Sequence, residues 1–95
     1  MFVVVSYDIP DDRRRTRVMK VLKDFGAHVQ YSVFECELSA RDYQRLRERL
    51  SPLIDREEDS VRFYELCRED VRRRRVWGKK RAELGLRPWY LVRGT

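Results

Sequence analysis

The sequence predicts an α+β sandwich with the element order β-α-β(β)-α-β, and three patterns within its 95 residues carry that reading. The first is a continuous β-branched and aromatic run, Phe2-Val3-Val4-Val5-Ser6-Tyr7. The second is a pair of capped amphipathic helical segments. The third is a stretch from Ala27 to Leu38 in which the side-chain period changes to two. This order is the split βαβ arrangement, an antiparallel sheet with both helices on one face.

The opening run lacks alternation, as expected of a strand buried on both faces, so it is placed at the centre of the sheet. It stops at Asp8-Ile9-Pro10. Asp11 then caps a helix whose apolar positions Val18, Val21, Leu22 and Phe25 follow helical spacing and which ends before Gly26. Arg13, Arg17 and Lys20 form the opposite stripe. From Ala27 onward, His28, Gln30, Ser32, Phe34, Cys36 and Leu38 share one side, and Val29, Tyr31, Val33, Glu35 and Glu37 the other. That pattern is β structure, either one bent strand or two short ones broken near Gln30 to Ser32.

Ser39-Ala40-Arg41-Asp42 reads as a capping box opening a second helix, with Tyr43, Leu46, Leu50 and Leu53 facing inward. Asp55 to Asp59 is a polar connection. Val61 to Cys67 is a further strand, and Val71 to Trp77 is expected to form a last strand with a basic exposed face. Both cysteines, Cys36 and Cys67, lie in strand-like runs without a CxxC, so they are read as small buried apolar residues and not as zinc ligands or a disulfide. Residues 1–78 are expected to be one domain, followed by a basic and aromatic segment, 79–95, that docks on a dimer mate or partner. A sheet with helices on one face leaves the other bare, and a chain this small buries only about 60–65% of its surface alone. A sheet-to-sheet homodimer covers that face economically.

The net charge is +6, and it is unevenly spread: residues 68–95 hold ten Lys or Arg against three Asp or Glu, whereas residues 1–67 hold twelve against thirteen. Arg72 to Arg75 and Lys79-Lys80-Arg81, interleaved with Trp77, Trp89 and Tyr90, suit a polyanion, because cations meet phosphates while rings stack on bases. A solvated or partner-binding tail is the competing reading. No apolar run approaches the ~20 residues of a membrane span and no basic n-region precedes Phe2, so a soluble, cytoplasmic protein without membrane partners is expected. With one histidine and no P-loop or GxGxxG, metal-assisted hydrolysis is the one chemistry that these residue types permit.

Tyr7-Asp8-Ile9-Pro10-Asp11-Asp12-Arg13-Arg14-Arg15-Thr16-Arg17, then Gly26, then Val29-Gln30-Tyr31-Ser32-Val33-Phe34-Glu35, and finally Asp59-Ser60-Val61-Arg62-Phe63-Tyr64, resemble the CRISPR-associated protein 2 family. The similarity spans residues 1–78. It implies a ferredoxin-like subunit with an extra C-terminal strand that crosses onto the partner's sheet in a two-fold homodimer. It further implies a subunit of spacer acquisition that binds DNA or RNA and bridges dimers of the integrase, CRISPR-associated protein 1. A metal-dependent endonuclease activity with Mg²⁺ or Mn²⁺, on RNA or double-stranded DNA, is implied as well. The family's acidic position falls on Asp8, its helix-start basic positions on Arg15 and Arg17, and its serine and phenylalanine on Ser32 and Phe34. His28 stands where many members carry a basic residue, usually arginine.

Read as chemistry, Asp8 ends a rigid strand ahead of a helix N-terminus, where a carboxylate can hold a hard cation facing a phosphate. One carboxylate is a poor metal site, and a dimer axis nearby would supply a second from the mate. The competing reading is a turn residue that organises the strand-to-helix connection. Arg13, Arg17 and Lys20 track a phosphate backbone or merely solvate the helix. Phe34 is expected in the core. A toxin-like ribonuclease on the same fold, or a purely structural nucleic-acid scaffold, are the alternative functions.

Overall fold

In the computed structural model, which describes residues 1–78, the chain runs β1 (Phe2–Asp8), α1 (Asp12–Lys23), β2 (Ala27–Gln30), β3 (Val33–Glu37), α2 (Ala40–Leu50), a single 3-10 turn at Ser51–Leu53, β4 (Ser60–Leu66) and α3 (Arg68–Arg73). The four strands form one antiparallel sheet in the order β2-β3-β1-β4. β1 is therefore central, hydrogen-bonded on both edges, as its unbroken apolar run requires. The period-two stretch resolves into two strands, with the break at Tyr31 and Ser32 and a register shift between His28 and Gln30.

Alternation along β1 separates two faces. Val3, Val5 and Tyr7 point to the helices and join Val18, Leu22, Phe34, Cys36, Tyr43, Leu46 and Leu50 in the core. Phe2, Val4, Ser6 and Asp8 lie on the other face, where the register sets Glu35 and Tyr64 beside Val4, Arg62 beside Ser6 and Ser60 beside Asp8. Both main helices are capped as the sequence predicts: Asp11 accepts from the Arg14 backbone N–H at 2.9 Å and Ser39 Oγ from that of Asp42 at 3.1 Å. Gly26 is required by close approach, since a Cβ there would stand 2.5 Å from the Glu35 carbonyl oxygen and collide with Cys36 Sγ.

Two expectations need correction. Val71 to Trp77 is not a strand in the chain described: Arg68–Arg73 are helical and β4 stops at Leu66. Cys67 becomes the N-cap, its backbone N–H and thiol both directed to the Asp70 carboxylate at 3.4 and 3.1 Å. Glu69 and Asp70 in the first turn and Arg72 and Arg73 in the last match the helix dipole. Cys67 is accordingly exposed, whereas Cys36 is buried. The connection Asp55 to Asp59 is polar as expected, and within it the Asp59 side chain is 0% exposed and bonded to α1.

α3 turns back onto the open sheet face. Val71 is buried there beside Phe2, Arg74 lies 5.3 Å above the Phe2 ring, and its guanidinium pairs with Glu35. Among the described residues no helix is long and apolar enough to cross a membrane. The expected docking of 79–95 lies outside the described residues.

Candidate functional site

One end of the sheet gathers most of the residues singled out from sequence. β1 finishes there at Asp8, the β2–β3 turn arrives because Tyr7 N–H donates to the Ser32 carbonyl at 3.1 Å, β4 begins there with Ser60 opposite Asp8, and α1 starts after Asp11. Asp8 is exposed on the open face. The acidic residues around it are engaged: Asp11 caps α1, Asp12 pairs with Arg15, Asp59 with Arg14, and Asp55 Oδ1 accepts from the Glu57 N–H at 2.9 Å. The Asp8 carboxylate makes no hydrogen bond or salt bridge among the described residues, so the turn-organising role is filled by Asp11 and not by Asp8.

The arginines of α1 divide by partner. Arg14 and Arg15 have partners within the chain: Arg14 forks onto Asp59, while Arg15 pairs with Asp12 and donates to the Ile9 carbonyl at 3.0 Å, fixing the loop that follows Asp8. Arg13, Arg17 and Lys20 form an exposed stripe and make no salt bridge among the described residues. Cations without internal partners are the ones available to phosphates. Burial pushes the Tyr7 phenol above its ordinary range, opposed by the Arg15 charge.

Ser32 and Phe34 serve the framework. Ser32 contributes its carbonyl to the turn, and Phe34, 0% exposed, packs between Tyr7 at 6.4 Å and His28 at 4.5 Å, ring centroid to ring centroid. His28 is stacked flat on Phe34 and its Nε2 donates to the Tyr31 carbonyl at 2.9 Å, so it braces the turn from within. Arg62 escaped the sequence reading. It is exposed on the open face, opposite Ser6 and two residues from Ser60, and the alternation Ser60-Arg62-Tyr64 against Val61-Phe63 is the signal that would have found it.

As a metal site, this end offers one hard oxygen donor per chain: among the described residues no three His, Cys, Asp or Glu side chains cluster to hold an ion. Cys36 is no candidate, because burial and the neighbouring Glu35 charge push its thiol up to about 12.

A family model described as CRISPR associated protein Cas2 matches residues 1–74. The chain belongs to the Cas2 family. It is 51% identical over 78 residues to the CRISPR-associated endoribonuclease Cas2 3 of Chloroflexus aurantiacus, an alignment covering 82% of this chain and 84% of that protein. Among solved structures it is similar to Streptococcus pyogenes Cas2, at 36% identity and a TM-score of 0.73, covering 82% of this chain and 100% of that one. It is also similar to a chain of a partial Cas6-RT-Cas1–Cas2 complex, at 28% identity and a TM-score of 0.66, over 76% of this chain and 84% of that one. The Cas2 likeness fits the ferredoxin-like order of the four strands and two packed helices found here.

Proposed function

We propose that this Cas2-family chain acts as a homodimer that binds nucleic acid and hydrolyses phosphodiester bonds with a divalent cation, Mg²⁺ or Mn²⁺, held between two copies of Asp8. The observation that carries the reading is the state of Asp8: a solvent-facing carboxylate, fixed at the end of the central strand, free of partners among the described residues while its acidic neighbours are engaged. Its donor chemistry fits a hard cation, which takes oxygen ligands and keeps several waters. Two chains facing each other through the open face supply two carboxylates. When bound, the cation offsets phosphate charge and lowers the pKa of a bound water.

The chain's own contribution is positional. Arg13, Arg17 and Lys20 bind phosphates along α1, Arg15 holds the loop after Asp8 through the Ile9 carbonyl, and Arg62 adds a cation on the face that carries Asp8. The half-covered Val4 and the 47% exposed Tyr64 on that face give a second copy apolar surface to bury. β4 is also an edge strand with one unpaired side, and residues following α3 in the second copy can extend it. Names of relatives as endoribonucleases support the activity, and RNA is the substrate class they favour.

A second reading, a scaffold that joins the Cas1 integrase in spacer acquisition, is favoured by the similarity to a chain of a Cas1–Cas2 complex, and it is compatible with the first. Asp8→Asn separates them. Loss of cleavage on RNA and DNA with Mg²⁺ or Mn²⁺, with the dimer and nucleic-acid binding intact, supports the hydrolase; cleavage that persists removes Asp8 from the chemistry. Unchanged spacer acquisition by the same variant assigns that role to the scaffold alone. A chain that stays monomeric in light scattering at high concentration overturns the shared site.

A further inference from the structure

Tyr31 is 85% exposed, far more than an aromatic ring of its size requires, and it occupies the two-residue turn between β2 and β3. The turn is held rigidly from both sides. On one, His28 Nε2 donates to the Tyr31 carbonyl at 2.9 Å, with the imidazole stacked at 4.5 Å and an interplanar angle of 0° on the buried Phe34. On the other, the next residue, Ser32, accepts the N–H of Tyr7, the neighbour of Asp8 in β1. A bare phenol ring is thus presented on a braced backbone at the same end of the sheet as the free carboxylate and the first turn of α1 with Arg13.

Exposing such a ring forgoes the burial that stabilises Tyr7, Phe34 and Tyr43, and nothing within the described residues packs on it. A flat apolar ring at the same end of a sheet as unpaired cations can receive an unpaired nucleotide: the base stacks on the ring while the flanking phosphates reach the cations. Bases inside a duplex are already stacked and do not present their faces.

We infer that Tyr31 is a base-stacking residue that receives an unpaired nucleotide at the Asp8 end of the sheet. The inference rests on the proposed nucleic-acid function and adds to it the residue that meets an unpaired base.

The test compares the full-length wild type with Tyr31→Ala and Tyr31→Phe, using a short single-stranded oligonucleotide carrying a fluorescent purine analogue that is quenched on stacking, and a blunt duplex of the same sequence. Because the ring is exposed, Tyr31→Ala should fold, as circular dichroism will check. Expected for Tyr31→Ala are lost quenching, roughly 5- to 150-fold weaker single-strand binding and unchanged duplex binding, with the salt dependence of single-strand binding retained. Tyr31→Phe should bind as wild type. Single-strand affinity and quenching unchanged in Tyr31→Ala overturn the inference, as does an equal loss on single strand and duplex. Loss of Cas1 association instead, with oligonucleotide binding intact, assigns the ring to a protein contact and overturns it too. Failure of the wild type to bind any nucleic acid overturns the proposed function itself, which distinguishes the two failures.

Discussion

Arg14 and Asp59, 45 residues apart in sequence, form a two-pronged ion pair: Nε donates to Oδ2 at 2.9 Å and Nη2 to Oδ1 at 3.0 Å, and Oδ2 also accepts from the Asp55 N–H at 2.8 Å. The bond ties the first turn of α1 to the residue that precedes β4. It therefore clamps both segments that flank Asp8, the loop leaving β1 and the strand start paired with it. The Arg14 guanidinium is the main cause that holds the Asp59 carboxyl below its ordinary value of 3.8.

The sign of the resulting pH dependence is fixed. A carboxylate whose folded pKa is lowered contributes stability above its unfolded pKa and loses it as pH falls through the folded value. Stability is expected to drop on acidification below about 3.8, and Asp59→Asn should remove that part of the drop while lowering stability at neutral pH. Urea titrations at several pH values check both, with the exposed Glu58→Gln, the weaker partner of Arg14 at 3.3 Å, as control.

Glu35 is expected to act in the opposite sense. Its carboxyl is pushed above the ordinary 4.5, chiefly by burial, with the Arg74 charge opposing. A raised folded pKa means stability that is fully present below the unfolded pKa and is lost as pH rises through the folded one. Between about 4.5 and the elevated value the wild type should lose stability, and Glu35→Gln should show a flatter profile over that window. An identical slope in the two proteins would refute the assignment.

Phe34 separates packing from chemistry. With its ring 0% exposed, Phe34→Ala should cost about 3–5 kcal/mol in chemical denaturation. Phe34→Leu should cost less and, once folded, should cleave as wild type if the side chain takes no part in the reaction. Gly26→Ala should be destabilised as well, by about 1–3 kcal/mol, because the added methyl meets the Glu35 carbonyl oxygen, a backbone atom that cannot swing away.

Arg13 and Arg17 are predicted to hold phosphates and little else. Replacing either by alanine should lower the slope of log binding constant against log salt by about 1, with thermal stability nearly unchanged. Arg14→Ala should show the reverse, a loss of stability with the slope preserved, because its charge is already spent on Asp59.

Patterns governed by local periodicity were legible in the sequence. β1 as a central strand, both caps, the inward faces of α1 and α2 and the role of Phe34 follow from spacing alone, and Asp8 and the stripe Arg13, Arg17 and Lys20 are found where that reading puts them. What was missed has other causes. Nothing near Asp59 announces that Arg14, 45 residues away, will pair with it inside an otherwise polar connection. Val71 to Trp77 carries strand-like residues too sparse to decide, and a cap formed between Cys67 and Asp70 turned its first half into helix. Tyr31 lies where the sequence left one bent strand or two short ones open, and the turn falls on it.

The carboxylate of Asp8 sits at the end of a strand laced to a neighbour along each edge. A carboxylate on such an anchor cannot swing out to meet a ligand, so under the proposed function a change in what reaches it would have to come from its surroundings. Engineering a new preference would therefore begin at the hairpin tip and the first helix, and leave the anchor alone.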